Sequence, residues 1–212
     1  MKPASGVTTM SDGILFIVSA PSGAGKTSLV KALLARDPDL MLSISCTTRA
    51  ARADEQDGVH YHFLDRDHFR QAVADGVFLE HAEVFGNHYG TREGDVRRSL
   101  ASGRDLVLEI DWQGARQVRE RFPAAVGIFV LPPSIAELER RLRARGTDSA
   151  SVIERRMRQA RGEMAHYGEY DYLVVNDSFE RALDALSAIT SSERLRAARQ
   201  APRLASLLDG LE

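Results

Sequence analysis

The fold of this 212-residue chain is decided by residues 14–27, which read ILFIVSAPSGAGKT. The first six residues are almost all apolar, which is typical of a buried parallel strand. The last eight follow the phosphate-binding pattern G-x-x-x-x-G-K-[ST], except that Ala20 replaces the first glycine. Apolar residues at helical spacing over 27–36 predict a helix directly after the loop. Strand, loop and helix together predict a nucleoside triphosphate site.

Each residue type in this loop has a chemical purpose. Gly23 and Gly25 let backbone N–H groups converge on phosphate oxygens, and the following helix adds its N-terminal dipole. Lys26 can reach the β- and γ-phosphates, and the Thr27 hydroxyl can join the shell of a Mg²⁺ ion. The residues expected to contact ATP here are Ala20, Pro21, Ser22, Gly23, Ala24, Gly25, Lys26 and Thr27.

The rest of the chain alternates strands and helices. Further strands are predicted at 40–45, 106–110, 128–131 and 172–175, and further helices at 134–145, 149–166 and 179–199. This alternation predicts an α/β fold with a mainly parallel sheet flanked by helices. The strand at 106–110 ends in acids: Glu109 lies within it and Asp111 follows it, and the two share one side by the two-residue strand period. Acids at this place commonly hold Mg²⁺ or its waters, although surface acids at strand ends are also common.

Composition excludes several classes of protein. With 43% hydrophobic and 27% charged residues and a net charge of −2, the chain is globular, with no general attraction to nucleic acid or anionic membrane. The lone Cys46 precludes an internal disulfide and fits a reducing cytoplasm. No apolar run could span a bilayer or form a signal peptide, and residues 1–12 are expected to be a frayed extension.

Arginine dominates the basic residues. Only three of the 28 Lys and Arg residues are lysines, and biased codon usage alone would explain most of that excess. However, residues 140–161 hold eight arginines against two acids, Asp148 and Glu154. Arginine grips phosphate bidentately, so this stretch is either a solvated charged face or an anion-binding element.

A series of motifs resembles the guanylate kinase family. In order they are SCTTRAAR at 45–52, GVHYHF at 58–63, FLEHAE at 78–83, GNHYGT at 86–91 and EIDWQG at 109–114. The resemblance continues through 131–134, 140–146 and 175–177, and covers residues 13–199. It implies transfer of the ATP γ-phosphoryl group to GMP or dGMP with Mg²⁺, giving ADP and the nucleoside diphosphate.

The resemblance also implies a domain organisation. The P-loop NTPase-like core would comprise residues 13–45, 100–136 and 167–212. A GMP-binding insertion would span 46–99, and a helical lid would span 137–166. The apolar positions of the C-terminal helix suit packing on the core or on a second subunit. The sequence is therefore compatible with either a monomer or a homo-oligomer.

Substrate residues carry over from the motifs one by one. The GMP phosphate would be held by two guanidinium forks and two phenols, Arg49, Arg52, Tyr61 and Tyr89. Glu80 would accept hydrogen bonds from the guanine N1–H and exocyclic amine, a donor pair that adenine lacks. The remaining contacts would come from Ser45, Thr91, Glu109 and Asp111. Many members of the family have Asp in place of Glu109 and Ser in place of Thr91.

The resemblance further names catalytic groups. The negative charge on the transferring phosphoryl group would be stabilised by Lys26, Arg49, Arg141, Arg145 and Arg156. Thr27 and Asp111 would hold the metal, directly or through water. Asn176 would contact the adenine or shape its pocket. No general base is needed, because the second pKa of a phosphate monoester is about 6.

Two other functions stay open at this stage. Some guanylate-kinase-like domains bind phosphorylated peptides and have lost phosphate-loop residues, whereas Lys26 and Thr27 are present here. A kinase acting on another phosphorylated small molecule, including ribose bisphosphate, shares the same outline. Histidines at 60, 62, 81 and 88 lack zinc-site spacing and are interpreted as non-metal residues.

Overall fold

The computed structural model describes residues 13–84, 86–144 and 149–208. The strands of its main sheet are β1 (Leu15–Ser19), β2 (Leu40–Leu42), β7 (Asp105–Glu109), β8 (Val126–Leu131) and β9 (Tyr172–Val175). They lie in the order β2-β7-β1-β8-β9, and every neighbouring pair is parallel. The predicted α/β class and its parallel sheet are confirmed.

A second sheet lies within residues 46–99. Its strands are β3 (Cys46–Thr47), β4 (His62–Phe63), β5 (Phe78–Val84) and β6 (Asn87–Arg92), in the order β4-β3-β6-β5. Helix α2 (Arg66–Ala74) packs beside it through Phe69, which stacks on Phe78 at 4.6 Å between ring centroids. The insertion therefore has a small apolar core of its own.

The other helices of the described residues lie between the strands or follow the last one. They are α1 (Lys26–Arg36), α3 (Glu93–Ala101), α4 (Trp112–Arg121), α5 (Ile135–Ala144), α6 (Ala150–Met164), α7 (Phe179–Arg194), α8 (Ala197–Gln200) and α9 (Ala205–Leu208). The prediction of a single helix over 179–199 is wrong, because α7 ends at Arg194 and the short helix α8 follows it. The Gln200 side chain donates to the Arg194 carbonyl at 2.7 Å and caps that end of α7.

The two faces of the sheet bury two apolar clusters. On β1, Phe16 and Val18 join the cluster that includes α1 and α7, whereas Leu15 and Ile17 join the cluster that includes α3 and α4. This alternation follows the two-residue period of a strand. The expected boundary at residue 99 falls inside α3, whose Val96 and Leu100 lie in the second cluster. Helices α5 and α6 share a separate small cluster.

Candidate active site

The loop after β1 has the backbone that the sequence requires. Gly23 and Gly25 both have φ of +96°, a region that L side chains rarely adopt. Gly25 is the N-cap of α1, so the loop leads directly into a helix N-terminus. A Cβ at Gly25 would come within 2.5 Å of the Asn176 side-chain amide nitrogen. Both the backbone angle and this close approach require glycine at position 25.

Asn176 holds the loop from the end of β9. Its buried side-chain amide donates to the Ala24 carbonyl at 2.7 Å. Arg141 of α5 reinforces this arrangement: its Nη2 donates to the Asn176 carbonyl at 2.9 Å and its Nε donates to Glu137 at 2.8 Å. The end of β9 and helix α5 therefore support the loop together.

Two cavities meet at the start of α1. One, of about 270 Å³, lies over the loop, and the other, of about 260 Å³, lies between the main sheet and the insertion. Lys26, Asp111 and Val84 line both. The Lys26 ammonium donates to the Ile110 carbonyl at 3.2 Å. We call these spaces the loop cavity and the insertion cavity.

The insertion cavity collects most of the residues predicted to bind GMP. It is lined by Ser45, Tyr61, Glu80, Tyr89, Glu109 and Asp111, together with Lys26 and three apolar residues. The rings of Tyr61 and Tyr89 meet edge to face at 6.1 Å. Three predicted substrate residues, Arg49, Arg52 and Thr91, are not among its lining residues.

Glu80 is the most buried charged residue of this cavity. Only 3% of its surface is exposed, and Thr91 donates to its Oε1 at 2.6 Å. Burial raises the pKa of Glu80 to about 7, against the opposing effect of the Thr91 bond. Gly114 of α4 lies on the other side: a Cβ there would come within 2.6 Å of Glu80 Oε2. The Thr91 hydroxyl thus holds the Glu80 carboxylate on one side, and the missing side chain of Gly114 leaves the space that Glu80 occupies on the other.

The two predicted phosphate-binding arginines converge on an acid. Arg49 Nη2 lies 2.7 Å from Glu55 Oε1, and the backbone N–H of Arg52 donates to Glu55 Oε2 at 2.9 Å. The Arg49 guanidinium lies 5.4 Å from the Tyr61 ring centroid, and the hydrogen bond from Arg49 lowers the pKa of Glu55 to about 2. Sequence reasoning missed Glu55, although an acid three residues after Arg52 is a local signal.

The two acids at the end of β7 and just after it have distinct partners. The Glu109 carboxylate accepts a hydrogen bond from the Thr27 hydroxyl. Asp111 is the N-cap of α4 and accepts from the Gly114 N–H at 2.9 Å and from the Gln113 side chain at 3.1 Å. The capping role of Asp111 was not predicted, although it precedes a helix start.

Helix α6 contributes one residue that the sequence did not reveal. Glu163, near the end of α6, accepts a hydrogen bond from the backbone N–H of Ser22 in the loop at 3.1 Å and lines the loop cavity. Arg156 is half-buried on the same helix. The predicted catalytic residue Arg145 and the predicted extension at 1–12 lie outside the described residues.

Comparison with known proteins decides the family. A family model described as guanylate kinase matches residues 13–193. The chain belongs to the guanylate kinase family. The curated guanylate kinase of Alkalilimnicola ehrlichii is 59% identical over 199 residues, which are 94% of this chain and 98% of that relative. The guanylate kinase of Thiobacillus denitrificans is 57% identical over 197 residues, covering 93% of this chain and 94% of the relative.

The fold comparison agrees. The crystal structure of guanylate kinase from Anaplasma phagocytophilum is 36% identical and has a TM-score of 0.74, with 89% of this chain and 90% of that one covered. The chain is a nucleoside monophosphate kinase that converts GMP to GDP with ATP as co-substrate. This confirms the sequence-based expectation over a peptide-binding module or a ribose bisphosphate kinase. Among the described residues, no helix combines the length and apolar character needed to cross a membrane.

Proposed function

We propose that ATP occupies the loop cavity and that GMP or dGMP occupies the insertion cavity, so that their phosphates meet at Lys26 and Asp111. The observation that carries this proposal is that both residues line both cavities. Direct transfer between two nucleotides requires the reacting groups to lie in adjoining, oriented sites. The shared wall supplies that proximity.

Recognition of the acceptor base centres on Glu80. Its ionised carboxylate offers two acceptors for the guanine N1–H and exocyclic amine, whereas adenine presents no matching donor pair. Thr91 and the space above Gly114 fix the position of this carboxylate. Ser45 on the cavity wall adds a hydroxyl contact to the base.

The acceptor phosphate lies against Tyr61 and Tyr89, with Arg49 and Arg52 supplying positive charge. Arg49 is paired with Glu55 at 2.7 Å. A dianionic phosphate offers the guanidinium a stronger, bidentate partner, so GMP binding redirects Arg49 from Glu55 towards the phosphate. The Arg49–Glu55 pair thus keeps the arginine beside the cavity before substrate arrives.

The donor phosphates are held by the backbone N–H groups of residues 22–27, which follow Pro21, and by the Lys26 side chain. Asn176 keeps the loop in shape through Ala24. Arg141, Arg145 and Arg156 supply lid charge that neutralises the oxygens of the transferring group. Arg141 reaches that role from its place beside Asn176.

The residues around Thr27 fit Mg²⁺. The ion prefers oxygen ligands and keeps several waters, and the Thr27 hydroxyl and Glu109 carboxylate already converge at the mouth of the loop. Asp111, which lines both cavities, would act directly or through water. When bound, the ion neutralises charge on the β- and γ-phosphates.

The chemical step needs no protein base. A GMP phosphate oxygen attacks the γ-phosphorus of ATP in line, and the bond from the γ-phosphorus to the β,γ-bridging oxygen breaks. The products are ADP and GDP, with the charge spread during transfer stabilised by Lys26 and the lid arginines. The protein contributes alignment, electrostatic stabilisation and exclusion of water.

The net charge, the single cysteine and the exposed apolar residues bear on the ligands, the compartment and the partners of the protein. The net charge of −2 supports small nucleotides as ligands in place of nucleic acid or membrane. Cys46 is buried and free, which suits the cytoplasm. Three leucines near the C-terminus are exposed: Leu195, Leu204 and Leu207. Their apolar side chains are compatible with contact to a second copy of the chain.

The acceptor assignment is tested by ADP release in a coupled assay with GMP, dGMP, AMP, dTMP, UMP and ribose bisphosphate. We expect GMP and dGMP to be used at least about 100-fold better than the other acceptors, because a buried carboxylate without matching donors is left unpaired. Equal use of AMP or UMP would overturn the assignment of the insertion cavity to guanine.

A further inference from the structure

One carboxylate lies where the phosphate loop should hold an anion of its ligand. Glu163 and Ser22 are 141 positions apart, yet the Ser22 backbone N–H donates to Glu163 Oε2 at 3.1 Å. Ser22 is the third residue of the eight-residue loop at 20–27. Backbone N–H groups of such loops are the donors that bind nucleotide phosphates. A lid side chain therefore uses a donor that belongs to the phosphate site.

The surroundings of Glu163 show that this contact is inside the site. Glu163 lines the loop cavity together with Lys26, Thr27 and Asp111. Burial raises the pKa of Glu163; the Ser22 N–H and Lys26 act in the opposite direction, while Asp111 adds to the increase. An ionised carboxylate in the wall of this cavity opposes the approach of a polyphosphate, because like charges repel.

The contact also ties the lid to the core. Glu163 lies in the last turn of α6, and α6 shares an apolar cluster with α5. The loop is meanwhile fixed to β9 through Asn176 and Ala24. A hydrogen bond from Ser22 to Glu163 thus joins the lid helix to the loop.

We propose that Glu163 occupies a phosphate-binding N–H of the empty enzyme and that ATP must displace it, so that Glu163 lowers the affinity for ATP and couples the position of α6 to occupancy of the loop. This proposal rests on the assignment of ATP to the loop cavity. It adds a specificity-tuning residue that favours ligands with phosphates strong enough to compete.

The first test is isothermal titration of ATP into wild type and Glu163→Gln without GMP, so that no turnover occurs. Glutamine keeps the size and an acceptor oxygen but removes the charge. We expect the Kd for ATP to fall about fivefold, because more of the free enzyme then has an unoccupied loop. The matched control is Glu154→Gln, an exposed acid of the same helix that pairs with Arg158. Its Kd for ATP should stay within twofold of wild type, as should the Kd of both variants for GMP.

A second measurement follows the contact itself. Amide hydrogen exchange at Ser22 in the ligand-free enzyme should be faster in Glu163→Ala than in wild type, because the N–H loses its acceptor. Thermal melting of the same samples establishes that the variants are folded. An unchanged Ser22 exchange rate in folded Glu163→Ala would overturn the proposed contact.

The titrations are run with Mg²⁺ and with EDTA to separate the outcomes. An unchanged Kd for ATP in both conditions would overturn the proposal, because it would show that Glu163 does not compete with ATP. Weaker ATP binding confined to Mg²⁺ would overturn it by making Glu163 a metal ligand. Failure of the underlying site assignment looks different: Lys26→Met would then bind and use ATP as wild type does.

Discussion

The hydroxyl of Thr27 donates a hydrogen bond to the carboxylate of Glu109, although 82 positions separate them along the chain. The contact arises because β1 and β7 are parallel neighbours in which Val18 pairs with Glu109. The chain leaves both strands at the same edge of the sheet, so the phosphate loop and the acid meet there. Glutamate, one methylene longer than the aspartate common in the family, reaches the first turn of α1.

This pair predicts a coupled effect on Mg²⁺ use. Glu109→Gln and Thr27→Ala should each raise the Mg²⁺ concentration for half-maximal activity by about tenfold, because each removes an oxygen ligand or its partner. The double variant should lose less than the product of the two effects, since the residues share one interaction. Glu120→Gln, an exposed acid on α4, is the control. Independent, multiplicative effects would contradict the shared role.

Lys26 predicts a loss of turnover without loss of structure. Lys26→Met should lower kcat/KM by about 10²- to 10³-fold, because it removes a charge directed at the transferring phosphate. Lys31→Met on the exposed side of the same helix is the matched control and should be near normal. Circular dichroism melting checks the fold of both. Near-normal activity of Lys26→Met would remove the loop from the mechanism.

Glu80 predicts selective damage to the acceptor site. Glu80→Gln should raise the KM for GMP by about 10- to 100-fold, because an amide cannot supply two charged acceptors to guanine. The KM for ATP should change far less. Glu83→Gln, an exposed acid on the same strand, serves as the control. If both substrates lost affinity equally, Glu80 would have a structural role only.

Glu80 also predicts a pH dependence of stability. Its pKa is about 7 in the folded state and near 4.5 when unfolded, so between these values the folded state binds more protons. The free energy of unfolding should therefore fall as pH rises from 4.5 to 7, by about 3 kcal/mol from this group. Thermal melting from pH 5 to 8 should show this loss in wild type and a flatter profile in Glu80→Gln. Parallel profiles would contradict the raised pKa.

Gly114 predicts a steric effect on guanine binding. Gly114→Ala places a Cβ within 2.6 Å of Glu80 Oε2, so the carboxylate must shift. We expect the KM for GMP to rise about tenfold or more, since small misplacements of a positioning group are costly. Gly162→Ala on α6 has no heavy atom within 4 Å of its added Cβ and should leave the KM for GMP unchanged. Equal KM values for the two variants would show that the Glu80 position tolerates displacement.

Local sequence determined the features that depend on contiguous residues. The strand, the glycine-rich turn and the helix over 14–36 are encoded by hydrophobicity, by backbone freedom and by helical spacing within one short stretch. The alternation of strands and helices likewise predicted the parallel sheet. The end of α7 at Arg194 was not predicted. The group that caps this helix end is the side chain of Gln200, which lies beyond the expected end of the helix.

Tertiary structure decided which of these residues work together. The family resemblance implied that Glu80 and Thr91 each contact the base, and the pairing of β5 with β6 adds that the Thr91 hydroxyl donates to Glu80. The resemblance identified Arg49 without its partner Glu55, and no local pattern indicated that Glu163 would reach Ser22. A motif specifies the conformation and chemistry of neighbouring residues. Distances between segments far apart in the chain are set by how sheets and helices pack, so the pairings within the site emerged only from the folded chain.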